Sequence, residues 1–82
     1  MNVALIGSGS WGTAVAGLAA ARAERVTMWA HSEQTAAGIN AEHRNPRYLV
    51  DYELPENVFA TTELAQALDS AVAIIFAVPS TH

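Results

Sequence analysis

Cysteine and lysine are both absent from this chain, proline is scarce, and no long apolar run occurs. Without cysteine these residues form neither a disulfide nor a thiolate metal site, which leaves a reducing cytoplasm open as a compartment. Without lysine, the positive charge rests on four arginines against eight carboxylates, for a net charge of −4. That balance argues against nucleic acid or an acidic membrane as the main partner, so any anion site has to be local. The longest apolar stretch, Ala71 to Pro79, falls far short of the ~18 residues that a membrane span needs. Met1 leads straight into a strand-like stretch with no basic, apolar, cleavable leader, so a soluble intracellular protein is expected.

What the chain does have is glycine in a particular pattern. Gly7, Gly9 and Gly12 fall in the spacing GxGxxG, between a short apolar stretch, Asn2 to Ile6, and an alanine-rich one, Trp11 to Ala23. In a phosphate-binding turn the first glycine lets the chain leave a strand sharply. The second removes a side chain where backbone approaches a pyrophosphate, and the third lets the new helix pack closely on the sheet. The helix N-terminus then offers unpaired N–H groups and partial positive charge to an anion. By itself the spacing is a weak signal. Here a strand precedes it, a helix follows, and Val26 to Ala30 reads as a second strand, which completes the βαβ unit the fingerprint requires.

The alternation continues. Ser32 is a plausible N-cap for a helix from Glu33 to Asn40, and residues 41–56, with two prolines, read as a long connection. Asn57 to Ala60 is a short third strand. Thr61 or Thr62 can cap a third helix with Glu63 in its first turn and Leu64, Ala67, Leu68 and Ala71 as its buried stripe. Val72 to Val78 reads as a fourth, near-continuously apolar strand of the type covered on both faces. Right-handed crossovers place the strands in the order 3-2-1-4, part of a Rossmann-type, doubly wound α/β sheet. The first helix has almost no polar face, so it is expected to lie between the sheet and another layer. Its exit, Ala21 to Arg25, lacks the glycine that often ends such helices, which predicts an irregular or 3₁₀ end. A complete dinucleotide domain runs to ~100–150 residues. With 82 residues, the chain is expected to be the N-terminal part of such a domain, with the rest missing.

Several residues could carry chemistry. Ser10 can give a hydroxyl or N–H to a phosphate, although serine is common in turns. Trp11 either covers a bound cofactor or plugs a hydrophobic gap. NAD-preferring sites place a carboxylate near the tip of the second strand, about 20 residues beyond the glycines. Here that tip reads Trp29-Ala30-His31, and Glu33, the nearest carboxylate, belongs to the following helix. An imidazole tolerates a 2′-phosphate that a carboxylate would repel, so NADP should be accepted beside NAD; the alternative is a surface histidine that touches nothing. His43, Arg44 and Arg47 form a small basic cluster that is either a phosphate contact or a solvated loop. Tyr48 can stack on a base, while Tyr52 is expected to pack the loop down. Ser80 and His82 follow the fourth strand at the same edge, but His82 has no visible partner to orient it as an acid or base. The histidines show no metal-ligand spacing.

Taken in order, Gly7 to Ala14, Val26 to His31, Asn45-Pro46-Arg47-Tyr48-Leu49, Leu54 to Val58 and Ala77 to Ser80 resemble the amino-terminal domain of bacterial NAD(P)-dependent glycerol-3-phosphate dehydrogenases. The resemblance spans essentially the whole chain. It implies hydride transfer between NAD(P)H and dihydroxyacetone phosphate, giving sn-glycerol 3-phosphate for phospholipid synthesis in the cytoplasm. It also implies that Ser10, Trp11, His31 and Tyr48 contact the cofactor, beside Gly7, Gly9 and Gly12. No catalytic residue is expected within the segment, because the family's catalytic and substrate-binding lysines lie beyond it. Ser8 replaces the usual alanine, and Ala23 the usual helix-ending glycine. Small-molecule substrate is the expected partner of the full-length parent, with neither nucleic acid nor membrane, and a homodimer is allowed. Two rivals stay open: another Rossmann dehydrogenase of the 6-phosphogluconate or ketopantoate type, and a nucleotide-binding module without catalysis.

Overall fold

Parallel strands joined by helices are what the alternating pattern asks for, and a computed structural model, describing residues 1–7, 9–46 and 52–77, has them. The elements run β1 (Asn2–Ile6), α1 (Ser10–Ala20), β2 (Arg25–Trp29), α2 (Glu33–Glu42), β3 (Val58–Thr61), α3 (Leu64–Leu68) and β4 (Ala73–Phe76). All pairings are parallel and the order is β3-β2-β1-β4, as expected. No helix among the described residues is long and apolar enough to cross a membrane.

Register sorts the side chains onto two faces. Val3, Val26, Val58 and Ala73 share one row, and Leu5 and Met28 lie two residues further along the same face. This face packs with Ala16 and Ala20 of α1 and Ala36 and Ile39 of α2 to make the core. Leu5, Met28 and Ile39 are completely buried, and each such side chain contributes ~1.5–3 kcal/mol. The opposite face carries Ala4, Thr27, Phe59 and Ile74, and α3 lies on it.

The end of α1 departs from the sequence expectation in position but not in kind. The helix stops at Ala20, three residues short of Ala23, and finishes in i→i−3 bonds from Ala21 N to Leu18 O (3.3 Å) and Arg22 N to Ala19 O (3.0 Å). In place of a helix-ending glycine, Asn57 Nδ2 donates to the carbonyls of Ala20 and Ala23, both at 3.0 Å. A side chain from just before β3 thus supplies donors that the terminal carbonyls lack. The outer side of α1 is not sandwiched among the described residues: Trp11 and Leu18 are 66% and 73% exposed. Tyr52 does pack the connection down, against Gly17, where a Cβ would run into its phenol ring.

Ser32 caps α2 as its position predicts, accepting from Thr35 N at 3.0 Å. Ser32→Ala should lower stability by ~1 kcal/mol, a fall of roughly 4–8 °C in Tm for a domain this small, measurable by thermal circular dichroism. The helix runs two residues beyond Asn40 because His43, at φ 56°, closes it with a bond to Ile39 O. Asn40 meanwhile pairs with both backbone groups of Ala60, at 2.8 Å each, and so covers part of the β3 edge. The long connection is closed at its base by Leu54 N donating to His43 O (2.7 Å) and by an Arg44–Glu53 ion pair at 3.7 Å. Arg44 of the expected basic cluster is therefore engaged with a carboxylate of its own loop.

The second half differs more. Only Ala67 of α3 is buried; Leu64 and Leu68 lie at the surface. Neither Thr61 nor Thr62 is the N-cap, which is Glu63, although Thr61 Oγ1 accepts from Glu63 N at 3.1 Å. β4 is shorter than the apolar run and, among the described residues, is not covered on both faces: Ala73 and Ile75 pack inward while Ile74 and Phe76 face outward, Phe76 being 71% exposed. The physical reason is length. Five residues of α3 lie chiefly against β1, β2 and β3, too short an element to cover an edge strand as well.

Where β1 and β2 begin, the Met1 amino group meets Glu24 at 2.7 Å. A hydrogen bond from this ammonium, and its charge, hold the Glu24 carboxyl below its usual range. The pair's stabilisation is present above that ordinary range and is lost as pH falls through the lowered value.

Candidate functional site

Three strands end at one point. Gly7 follows β1 at φ 139°, a conformation open essentially to glycine, and its N–H reaches Trp29 O at the end of β2 (3.3 Å). A Cβ at Gly7 would collide with the carbonyl of Ala77, whose own N–H donates to Ile6 O at 3.0 Å. A Cβ at Gly12 would lie 3.1 Å from the Gly7 backbone, so the first turn of α1 packs directly on the strand exit. The fold alone accounts for both glycines.

Gly9 is different. It is the N-cap of α1 with φ −75° and ψ −169°, angles any residue adopts, and a Cβ there meets no atom of the described residues within 4 Å. Among the described residues nothing requires glycine at this point. The first helical bond runs from Thr13 N to Gly9 O (2.8 Å), so the amides ahead of it precede the hydrogen-bonded ladder. No acidic residue occupies the first turn. Open space, amides at a helix N-terminus and no competing carboxylate fit a diphosphate lying against the backbone. Ser10 begins α1 and Trp11 follows it, largely exposed, so it does not act as a buried plug among the described residues.

Beside this turn, β2 delivers His31. Its ring meets Trp29 edge-on, with centroids 4.6 Å apart and planes at 63°, and the histidine is exposed. Trp29 Nε1 donates to Thr62 O at 3.0 Å, and Thr62 Oγ1 donates to Glu33 Oε2 at 3.0 Å. Glu33 is the first residue of α2, as its sequence position predicts. The structure thus gathers Gly7, Gly9, Gly12, Ser10, Trp11 and His31 at the carboxyl edge of the sheet, where ligands of open α/β sheets bind. Ser8, Arg47, Tyr48, Ser80 and His82 lie outside the described residues.

Two residues at this edge, Asn45 and Thr13, lie within the resembling motifs but were not singled out as site residues by the sequence. Asn45 is completely buried and its Nδ2 donates to Thr13 Oγ1 of α1 at 2.9 Å. Thr13 is equally buried. This contact fixes the start of the long connection to the helix that follows the glycine turn. A polar pair 32 residues apart shows no spacing that would reveal it. The hint available was compositional, an Asn-Pro step in a stretch otherwise read as loop.

The family described as the N-terminus of NAD-dependent glycerol-3-phosphate dehydrogenase matches residues 2–82. The chain belongs to this family. A glycerol-3-phosphate dehydrogenase [NAD(P)+] of Corynebacterium aurimucosum is 48% identical over 79 residues, covering 96% of this chain and 24% of the relative. One from Alcanivorax borkumensis is 44% identical over 79 residues, again 96% of this chain and 23% of the relative. Among solved structures, glycerol-3-phosphate dehydrogenase from Saccharomyces cerevisiae superposes with a TM-score of 0.89 at 32% identity, over 96% of this chain and 26% of that one. The enzyme from Coxiella burnetii gives 0.81 at 33% identity, over 92% and 23%. The chain therefore spans about a quarter of the length of the glycerol-3-phosphate dehydrogenases it matches.

Proposed function

We propose that this segment is the cofactor-binding start of a longer NAD(P)-dependent glycerol-3-phosphate dehydrogenase, acting on dihydroxyacetone phosphate and sn-glycerol 3-phosphate in the cytoplasm. The observation that carries the proposal is Gly9, a glycine that none of the described residues requires, at the mouth of a helix whose first turn is open to an anion.

In this assignment the amides at the start of α1 hold the pyrophosphate, with Gly7 and Gly12 shaping the turn and Ser10 contributing beside them. Trp11, exposed on the first turn, shields one side of the dinucleotide from water. His31 receives the adenosine ribose, and Tyr48 adds a stacking surface. When bound, the nicotinamide supplies or accepts the hydride. The residues of this segment bind and orient; with no lysine among them, the segment is proposed to be inactive alone.

The deciding experiment is an assay of the full-length parent for NAD(P)H oxidation with dihydroxyacetone phosphate. Turnover supports the assignment, and its absence in a folded, NADPH-binding protein refutes the dehydrogenase activity. The isolated 82 residues should bind NADPH weakly or not at all, and micromolar affinity by calorimetry would overturn that expectation. His31→Asp in the parent should shift the ratio of kcat/KM values from NADP toward NAD, by about tenfold if one charge contact worth ~1.4 kcal/mol changes sign of preference. An unchanged ratio removes His31 from the ribose site.

A further inference from the structure

We propose that Thr62 and Glu33 set the cofactor preference of this site, with Thr62 as a positioning residue that holds the Glu33 carboxylate away from the adenosine ribose. This rests on the dinucleotide assignment above.

The tip of β2 has no carboxylate of its own, yet a carboxylate stands close by in space. Trp29 is the hub. One side of its indole meets the His31 ring, and its Nε1–H is bonded to Thr62 O. The hydroxyl of the same Thr62 holds Glu33 Oε2. An imidazole thus touches Trp29 directly and a carboxylate is tied to it through Thr62, at the end of the second strand, where adenosine riboses are read. The two prefer different ligands. An imidazole accommodates a 2′-phosphate, whereas a carboxylate accepts hydrogen bonds from a free 2′-hydroxyl and repels a phosphate.

Thr62 decides which of them dominates. While its hydroxyl donates to Oε2, the carboxylate is turned toward the β3–α3 junction and part of its acceptor capacity is used. Without that donor the side chain, exposed and at the first position of α2, is free to swing toward the ribose. Acceptance of both cofactors then follows from a carboxylate that is present but restrained. The backbone bond from Trp29 to Thr62 O does not depend on the Thr62 side chain, so the hydroxyl can be removed without undoing the indole contact.

The test is calorimetry on the full-length protein with ADP-ribose and 2′-phospho-ADP-ribose, which lack the nicotinamide and report binding without turnover. Thr62→Val should lower the affinity for the 2′-phosphorylated ligand relative to ADP-ribose by about threefold to tenfold, with the effect shrinking as salt rises. Glu33→Gln should raise the same ratio by a similar factor. Thr62→Val combined with Glu33→Gln should match Glu33→Gln alone, because a positioning residue has nothing left to position once the charge is gone. Thr62→Ser, which keeps the hydroxyl, should behave as the wild type. A ratio unmoved by either single change, or a Thr62 effect that persists in the double variant, overturns the proposal. If the wild type binds neither ligand, the dinucleotide assignment fails and this inference with it. If it binds both and only the ratios stay fixed, the assignment stands and this inference alone is lost.

Discussion

Gly9→Asp is expected to weaken NAD(P)H binding in the full-length parent strongly while leaving its stability intact, and Gly7→Val is expected to do the reverse in order of cause, damaging the fold first. Aspartate is among the best N-cap residues and favours the positive end of a helix, so at Gly9, with φ −75° and no atom of the described residues in the way, it suits α1. It also sets a carboxylate where a pyrophosphate is proposed to lie. Two like charges ~4 Å apart repel by about 4 kcal/mol at an effective dielectric constant of 20. A loss of affinity of at least about 100-fold, ~2.7 kcal/mol, is expected by calorimetry. At Gly7 a β-branched residue meets φ 139° and the Ala77 carbonyl together. Strain of this kind costs ~1–3 kcal/mol before the clash is counted, against a stability of ~4–12 kcal/mol for a domain this size. Urea unfolding of both variants separates the two glycines. Equal destabilisation by both changes would mean that Gly9 serves the fold after all.

Asn45→Ala is the second change with a large expected effect. The side chain is fully buried and donates to the buried Thr13 hydroxyl, so truncation removes a hydrogen bond in a place water does not readily reach. Such losses cost ~1–3 kcal/mol. The consequence extends to function because Thr13 lies one residue beyond Gly12, and Pro46, next to Asn45, packs on α2 at Gly38. Releasing Asn45 frees the connection that carries Tyr48 from the helix at the glycine turn, so cofactor affinity should fall along with Tm. A double-mutant cycle with Thr13→Val in the parent should show coupling of ~0.5–3 kcal/mol. Additive single effects would mean that the two residues do not act through each other.

Much of the scaffold was legible because its signals are local. β1 was bounded correctly from five apolar-rich residues ahead of a glycine. Ser32 announced α2, since the bond that makes it a cap spans only three residues. The strand order followed from alternation and crossover handedness. Local composition misled where coverage mattered. The run Val72 to Val78 reads like a strand covered on both faces, and the stripe Leu64, Leu68 reads like a core face, but among the described residues α3 is too short to cover β4 and leaves both leucines at the surface.

The sequence by itself determined the Rossmann-type sheet, the glycine turn and the family resemblance, because turn chemistry, periodicity and motif spacing are written in neighbouring residues. Only the tertiary structure separated Gly9 from Gly7 and Gly12, since what a Cβ would meet depends on Ala77 and on the returning backbone. It alone joined Asn57 to the end of α1, Asn45 to Thr13, and Glu33 through Thr62 to Trp29. These contacts link residues about 30 or more positions apart, brought within 3 Å by the packing of helices on the sheet, and distances of that kind leave no periodic trace in the chain.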